Sequence, residues 1–131
     1  MSHMRVAEAA ELLGVSSDTV RRAIDSGRLS ATKDASGKAV IPGVDVAALA
    51  AELHTAPTVG AVGSTSSRNQ MRGIVTRIVM DTVMAQVDMQ AGPFRLVSLL
   101  SAEAVREMGL EVGSVAVASI KATHVTVGVP T

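Results

Sequence analysis

The chain has 131 residues, a formal net charge of zero from 12 basic and 12 acidic residues, and no cysteine. This composition excludes disulfides, thiolate metal sites and cysteine nucleophiles, and it argues against a polybasic coat for nucleic acid or anionic lipid. No apolar run reaches membrane length and the N-terminus lacks a signal-peptide core, so we expect a soluble cytoplasmic protein. Phe94 is the only Phe, Tyr or Trp, which disfavours base stacking on single-stranded nucleic acid.

Two compositions follow one another along the chain. Residues 5–53 are rich in Ala and Leu at helical spacing, whereas residues 71–129 are rich in Val, Gly and Ser with strand-like alternation. A proline and two glycines between them are typical of a flexible linker. We therefore predict an α+β protein with domains over 1–53 and 65–131, joined by a linker over 54–64.

The sequence RVAEAAELLGV predicts a first helix. Gly14 supplies its stop, because glycine allows the chain to turn sharply after a helix. The opening MSHM is either native or partly an expression scar, so His3 carries no argument. Helical spacing places the expected apolar face of this helix on Val6, Ala9, Leu12 and Leu13.

A second helix is expected directly after the turn. Ser16 or Ser17 can cap it, because a serine oxygen satisfies a free N–H group of the first helical turn. Val20 and Ile24 are four residues apart and are expected to face the core. The residues left mostly outside are Thr19, Arg21 and Arg22.

The stretch SATKDASGKAVI predicts a two-stranded wing that turns between Asp34 and Gly37, with a closing helix from Val44 to Leu53. Together with EAAELLGVS, DTVRR and GRL, it resembles the helix-turn-helix of the MerR and excisionase families. The resemblance implies a winged, mainly helical DNA-binding domain. Ala23 departs from the pattern, since many relatives carry a tryptophan after the paired arginines.

Local charge agrees with this resemblance. The stretch from Arg21 to Lys38 holds five basic residues and two acidic ones, a concentration suited to phosphate contacts. The alternative is that these basic residues form the solvated face of a protein-interaction module. If the domain binds double-stranded DNA, the early part of the second helix faces base edges and the later basic residues contact phosphates. The predicted base-edge residues are Ser17, Thr19 and Arg21, and the predicted phosphate contacts are Arg22, Lys33 and Lys38.

The second region predicts a small barrel with one short helix. MRGIVTRIVM and TVMAQVDMQ are expected to form two strands around Asp81, FRLVSLLS a third, and SVAVASIKATHVTVGV two more. Ser101 is expected to cap a short helix between the third and fourth strands. The predicted order β, β, β, α, β, β is that of a small OB-like barrel.

This region resembles the molbindin family, also called Mop or TOBE-type molybdate-binding domains. The resemblance spans residues 64–130 and rests on SSRNQMRGIVTRI at the start, LLSAEAV in the middle and IKATHV near the end. It implies binding of molybdate or tungstate at the interfaces of a homo-oligomer, where the signature segment of one subunit meets the lysine segment of another. The oxyanion contacts that it implies are Ser66, Ser67, Arg68, Asn69, Ser101, Lys121, Ala122 and Thr123.

The residue types at these positions suit an oxyanion. A tetrahedral dianion needs converging hydrogen-bond donors and enough positive charge to offset its desolvation. Residues 65–69 and the IKAT segment supply hydroxyls, amides, an arginine and a lysine with no carboxylate among them. Ser101 stands at a predicted helix N-terminus, where free N–H groups favour anions. Two positions depart from the family pattern: Ser67 replaces an alanine and adds a hydroxyl, whereas Ala104 replaces a serine and removes one.

Several of these residues also have structural interpretations. Ser101 alone is more often only a helix cap, and Lys121 at a strand end is usually a solvated charge. Arg68 can pair with Glu103 or Glu107 across an interface. These alternatives remain open at the level of the sequence.

Two functions are compatible with the two resemblances. The first is a molybdate- or tungstate-responsive transcriptional regulator, favoured by the local positive charge around the second helix. The second is a storage or buffering protein for the same oxyanions whose N-terminal domain mediates assembly or protein contacts, favoured by the flexible linker. No nucleophile elbow, phosphate-binding glycine loop or carboxylate pair is present, so we do not expect an enzyme. The three histidines lack metal-site spacing, and no site for a free cation is predicted.

Overall fold

The computed structural model describes residues 2–53, 59–60 and 64–131. The chain divides into two compact units, Met1–Thr55 and Ala56–Thr131. The first unit is mainly helical, and the second is an antiparallel sheet with one α-helix, so the predicted α+β class is confirmed. Most of the predicted linker lies outside the described residues.

The first unit combines helices with a small sheet. Its strands are antiparallel and lie in the order β1-β3-β2. The elements are β1 (His3–Met4), α1 (Val6–Leu13), α2 (Ser17–Asp25), β2 (Thr32–Lys33), β3 (Ala39–Pro42) and α3 (Gly43–Glu52).

The first strand of this sheet was not predicted. His3 pairs with Pro42, and Met4 pairs with Ile41, which is completely buried. Residues 2–4 are therefore part of the fold of this unit, since the Ser2 carbonyl also accepts a hydrogen bond from the Gly43 N–H at 2.7 Å. The predicted wing is confirmed, since β2 and β3 pair on either side of a turn at Asp34.

Helix α1 ends at Gly14, as predicted. This glycine has a φ of 69°, in the left-handed region that favours glycine, and its N–H donates to the carbonyls of Ala10 and Glu11. The predicted apolar face is wrong at Leu12, which is 64% exposed. The buried face is centred on Ala9 and Ala10, so Leu12 points away from it.

Helix α2 is capped by Ser16, whose Oγ accepts a hydrogen bond from the Thr19 N–H at 3.1 Å. Val20 is 1% exposed and Ile24 is half-buried against the same core, as the spacing predicts. With Leu29 and Ile41, Val20 is among the largest fully buried side chains of this unit. The helix is therefore fixed to the unit through its inward face.

The second unit is built on a sheet of order β6-β5-β4-β7. All neighbouring strands are antiparallel, and the bulge in β4 lies between Val75 and Arg77. The elements are β4 (Asn69–Met80), β5 (Met84–Ala91), β6 (Phe94–Ser101), α4 (Ala102–Met108) and β7 (Val115–Ile120), followed by a 3-10 turn (Ala122–His124).

Strand β4 belongs to two ladders. It pairs with β7 over residues 69–74 and with β5 from Ile74 to Met80. Gly73 lies where the ladders meet, and a Cβ at this position would overlap the backbone carbonyl of Gln90. A glycine here therefore permits the close approach of two strands that a side chain would prevent.

The predicted fifth strand is wrong. Residues 125–131 form no strand, and Val127 and Val129 are 92% and 89% exposed. Strands β6 and β7 consequently remain the two edges of an open sheet. Val75, Val87 and Val105 form the buried core of this unit with Ala85.

Candidate functional site

The outward face of α2 carries side chains predicted to contact DNA. Thr19, Arg21 and Arg22 are exposed, whereas Ser17 is half-buried in the first helical turn. Residues in the first half of the second helix are those that reach base edges in helix-turn-helix proteins. Three of the four predicted α2 residues thus lie where an external partner can reach them.

The basic residues of this face differ in their partners. An Arg21 guanidinium nitrogen lies 3.3 Å from an Asp18 carboxylate oxygen, and both side chains are exposed. Such surface pairs contribute about 0–1 kcal/mol, so Arg21 can exchange this partner for another acceptor. Arg22, Lys33 and Lys38 form no ion pair with any residue that the structure describes.

The two lysines flank the turn of the wing, which Asp34 organises. Its Oδ1 accepts hydrogen bonds from the Ser36 hydroxyl at 2.7 Å and from the Lys38 N–H at 3.0 Å. Its Oδ2 lies 2.5 Å from an Arg5 nitrogen at the start of α1. The Ser36 hydroxyl first, then the Lys38 N–H and Arg5, hold the pKa of Asp34 well below its usual range. The carboxylate stays ionised at neutral pH and holds the turn that separates Lys33 from Lys38.

A cleft of about 330 Å³ opens beside α2. The buried Ala23 lines it together with Leu49 of α3 and Leu53, the residue that follows α3. Because a methyl group is small, this position leaves space next to α2 that a bulkier side chain would fill. Arg22 and Arg28 also line the cleft. A guanidinium nitrogen of Arg28 lies 3.3 Å from a carboxylate oxygen of Glu52.

In the second unit, the fold brings together two of the three predicted oxyanion segments. Asn69 begins β4 and pairs with Ile120 at the end of β7, and the Asn69 amide nitrogen donates to the Ile120 carbonyl at 3.1 Å. Lys121 follows Ile120 directly. The segments that carry Arg68 and Lys121 therefore meet at one end of the β4–β7 pair, although Asn69 and Ile120 are 51 positions apart in the sequence.

This end of the sheet is basic and free of acidic residues in its two segments. Residues 64–72 and 115–131 contain two arginines, a lysine and a histidine, but no carboxylate. Arg68 and Lys121 are exposed, and neither forms an ion pair with a described residue. The pairing of Arg68 with Glu103 or Glu107 is thus absent from the described part of this single chain.

The hydroxyls of these segments lie at the surface or close to it. Ser66 and Thr123 are exposed, as is Ala122. Ser67 is half-buried, and its N–H donates to the Thr65 hydroxyl oxygen at 3.1 Å. The side chain of Ser67 is not used in this contact, so its hydroxyl is an additional donor beside Arg68.

Ser101, the third predicted segment, lies elsewhere on the sheet. It pairs with Met84 at the end of β6, next to the end of β4, where Met80 pairs with Ala85. Asn69 lies at the other end of β4, eleven residues before Met80. The strand pairing within one chain therefore places Ser101 and Lys121 at opposite ends of β4.

The hydroxyl of Ser101 has a local role. Its Oγ accepts a hydrogen bond from the Ala104 N–H at 3.0 Å and caps α4. The capping interpretation of Ser101 is therefore correct for the single chain. The hydroxyl hydrogen is still available to a second acceptor, because capping uses only the oxygen lone pair.

Sequence reasoning missed a buried carboxylate in the middle of β5. Asp88 is 4% exposed and accepts hydrogen bonds from the Gln86 amide at 3.0 Å and from two Arg95 nitrogens at 3.2 and 2.6 Å. The Gln86 hydrogen bond first, and Arg95 next, lower the pKa of Asp88. Because the carboxylate is fully engaged, it fixes the pairing of β5 with β6. An acid within an alternating apolar strand was the signal for it.

In the described part of the chain, no three His, Asp or Glu side chains are grouped as ligands for a metal ion. None of the described helices combines the length and the apolar character that crossing a membrane requires.

Comparison with known families agrees with this division of the chain. Residues 65–127 match the TOBE domain, and residues 4–54 match a helix-turn-helix domain. A probable molybdenum-pterin-binding protein of Haemophilus influenzae is 46% identical over 65 residues, which are 49% of this chain and 94% of that protein. The chain belongs to the TOBE domain family. The predicted fusion of a TOBE-type domain to a helix-turn-helix domain is thereby confirmed.

Solved structures also align with the TOBE half of the chain. A molybdate binding protein from Sporomusa ovata is 32% identical, covers 50% of this chain and 97% of its own, and has a TM-score of 0.48. MopII from Clostridium pasteurianum is 31% identical, covers 50% of this chain and 100% of its own, and also has a TM-score of 0.48.

Proposed function

We propose that this protein is an oxyanion-responsive DNA-binding regulator. Its TOBE unit binds molybdate or tungstate between copies of the chain, and its helix-turn-helix unit binds double-stranded DNA. The observation that carries the proposal is the meeting of the Arg68 and Lys121 segments at an acid-free end of the sheet, in a chain that also carries a helix-turn-helix domain.

The chemistry of this end suits a tetrahedral dianion. Arg68 and Lys121 supply two positive charges that have no carboxylate partner among the described residues, and the hydroxyls of Ser66, Ser67 and Thr123 supply neutral donors in the same two segments. The side-chain amide of Asn69 and the backbone N–H of Ala122 belong to the same proposed set. Charge-assisted hydrogen bonds of this kind offset the desolvation of an anion. The name of the relative that is 46% identical, a probable molybdenum-pterin-binding protein, supports a molybdenum oxyanion as the ligand.

A second copy of the chain is part of the proposed site. Ser101 lies at the opposite end of β4 from Asn69 and Lys121, so the register of one chain separates these donors. A symmetric neighbour can supply Ser101 to the Lys121 end of the first chain. We therefore propose a homo-oligomer whose anion sites lie at subunit interfaces.

The DNA-binding part of the proposal rests on α2 and the wing. Thr19 and Arg21 are exposed where a recognition helix meets base edges, with Ser17 at its start, and Arg22, Lys33 and Lys38 are free to contact phosphates. In a homo-oligomer, the helix-turn-helix units of two chains can adopt different relative arrangements, which differ in their affinity for DNA. Anion binding changes the DNA affinity only if the anion binds these arrangements with different affinity. We propose this coupling in the cytoplasm, with a binding role and no catalytic step.

The first test measures DNA binding by fluorescence anisotropy on labelled fragments from upstream of the protein's own gene, with and without molybdate, at fixed salt. We expect saturable, sequence-dependent binding that shifts with molybdate. Arg21→Ala is expected to weaken the free energy of binding to a specific DNA site by about 1–3 kcal/mol, the effect of losing a base contact. Arg106→Ala, an exposed arginine of the TOBE unit, is the control and should leave DNA binding unchanged.

The second test measures anion binding by calorimetry with molybdate, tungstate and sulfate. Lys121→Ala should abolish binding because it removes one of the two positive charges, whereas Arg106→Ala should retain it. Full molybdate affinity in Lys121→Ala would overturn the site. Tungstate and sulfate titrations on the same samples measure selectivity.

A storage or buffering role for the same anions is the second candidate. It is favoured by the charge of the first unit, which carries six basic and seven acidic residues over 1–53, and by the pairing of Arg21 with Asp18. Molybdate binding without specific DNA binding in either state would select this role. The helix-turn-helix unit would then mediate assembly or protein contacts.

A further inference from the structure

The cleft beside α2 combines an apolar lining with positive charge. Its volume of about 330 Å³ lies in the range of small-molecule sites. None of the described residues that line it is acidic, and most are apolar. The apolar members are Leu13, Val15, Val20, Ala23, Leu49 and Leu53. A ligand held in this cleft therefore needs an apolar body.

Two arginines supply the charge of the cleft. Arg22 and Arg28 both line it, and Arg22 forms no ion pair with any residue that the structure describes. Arg28 is paired with Glu52 at 3.3 Å, but both side chains are exposed. Because such a pair contributes little to stability, Arg28 can exchange Glu52 for another carboxylate. Planar guanidinium groups bind carboxylates through two parallel hydrogen bonds, so the cleft favours a ligand with an acidic group.

The hydroxyls of the cleft do not take over this role. The Ser26 hydroxyl donates to the Ala23 carbonyl at 3.2 Å, which leaves its oxygen lone pairs to accept a hydrogen bond from a ligand. The Thr19 hydroxyl lies 2.9 Å from that of Ser16 and shares a hydrogen bond with it. Recognition of an anionic group therefore falls to the arginines, and Ser26 suits an N–H group on the same ligand.

The walls of the cleft are fixed by the core of the first unit. Val20, Ala23 and Leu49 are buried members of the same apolar cluster, and Leu13 and Leu53 pack against it. The cleft therefore exists before a ligand binds, and little ordering of side chains opposes binding. Ala23 is the smallest of these residues, so its methyl group leaves the space that a flat ligand can occupy.

We propose that this cleft binds a small organic acid that has one carboxylate and an aromatic or branched apolar body. The apolar body lies against Ala23 and Leu49, and the carboxylate is bound by Arg22 and Arg28. Every residue of this site belongs to the first unit, so the site is separate from the proposed oxyanion site and needs no second copy of the chain.

The site overlaps the face of α2 that is proposed to bind DNA. Thr19 and Arg22 line the cleft, and both belong to the proposed DNA contacts. A bound acid would occupy Arg22 and compete with a phosphate group for it, so DNA affinity should fall as the acid binds. This consequence rests on the proposed function, whereas binding of the acid does not.

Nuclear magnetic resonance titration of the ¹⁵N-labelled full-length protein tests the site. The probes are indole-3-acetate, phenylacetate and 4-methylpentanoate. We expect at least one of them to bind saturably with a dissociation constant of about 1 mM or tighter, the range for ligands of this size. The largest shifts should fall on the backbone amides of Ala23, Leu49 and Leu53. Absence of saturable shifts with all three probes, or shifts confined to other residues, overturns the proposal.

Two control compounds separate the charge of the probe from its apolar body. Indole-3-acetamide keeps the body of indole-3-acetate and removes the charge, whereas acetate keeps the charge and removes the body. Each should bind at least about tenfold more weakly than the best probe, because each loses one part of the recognition. Equal affinity for the acid and its amide contradicts recognition by the arginines.

Three substitutions locate the probe on the protein. Arg22→Gln should weaken binding of the best probe by about tenfold or more, whereas Arg21→Gln removes the same charge one residue away, outside the lining, and should leave the affinity for the probe unchanged. Ala23→Leu should abolish probe binding by filling the cleft, and circular dichroism verifies that each variant is folded. Because Arg22 is exposed, its variant tests the site even if Ala23→Leu does not fold. Equal affinities for the two arginine variants overturn the proposal.

Fluorescence anisotropy on the DNA fragments described above distinguishes this inference from the proposed function. Saturable probe binding at the cleft in a protein that binds no specific DNA overturns the DNA-binding function alone. Specific DNA binding without probe binding overturns the cleft site alone.

Discussion

The two units of the chain complete their cores differently. In the first unit, eight buried apolar residues form one cluster, and Leu12 and Val44 are the large apolar residues that remain exposed. In the TOBE unit the buried cluster has only four members. Fourteen of the exposed large apolar residues in the described part of the chain lie in this unit. The helical unit buries most of its large apolar side chains within one chain. The sheet unit leaves many of its large apolar side chains exposed on its strands and on its C-terminal tail.

The largest effect is expected from a core truncation in the first unit. Ile41 is completely buried, so Ile41→Ala should lower the free energy of unfolding by about 3–4 kcal/mol through lost burial and a residual cavity. Val129→Ala, at an exposed valine of the tail, should change the stability of a dissociated chain by less than about 0.5 kcal/mol. Urea unfolding monitored by far-UV circular dichroism measures both, since the chain has no tryptophan. Equal losses would contradict the comparison.

A somewhat smaller effect is expected where β4 passes from one ladder to the other. Gly73→Ala should destabilise the TOBE unit by about 1–3 kcal/mol, because the added methyl would meet the Gln90 backbone rather than a movable side chain. Gly128→Ala is the matched control, since a Cβ there meets nothing within 4 Å. The same unfolding experiment should show the loss for Gly73 alone. A neutral Gly73→Ala would mean that the strands can separate without cost.

The smallest effect separates capping from ligand binding. Ser16 and Ser101 cap α2 and α4 with nearly equal geometry, at 3.1 and 3.0 Å. Replacing either with alanine should cost about 1 kcal/mol of stability. Only Ser101→Ala should also weaken molybdate binding, as measured by calorimetry. If both variants bind molybdate like the wild type, Ser101 is a cap and not an anion contact.

Features of the fold that depend on neighbouring residues were predictable from the sequence. Gly14 ends α1, Ser16 begins α2, and Asp34 and Asp81 organise turns, each through contacts within four residues along the chain. Such contacts form wherever the segment is placed, because the donor and acceptor are joined by a short stretch of backbone. The two family resemblances extended this local information to the two domain types.

Tertiary structure decided what depends on distant partners. It paired His3 with Pro42, buried Asp88 beside Arg95, and joined the Arg68 segment to Lys121 through Asn69 and Ile120. It also left residues 125–131 without a strand partner, although their alternation predicts one. Local alternation shows that a segment can form a strand, but strand formation also requires an available edge, and which edge is available depends on the arrangement of the whole sheet.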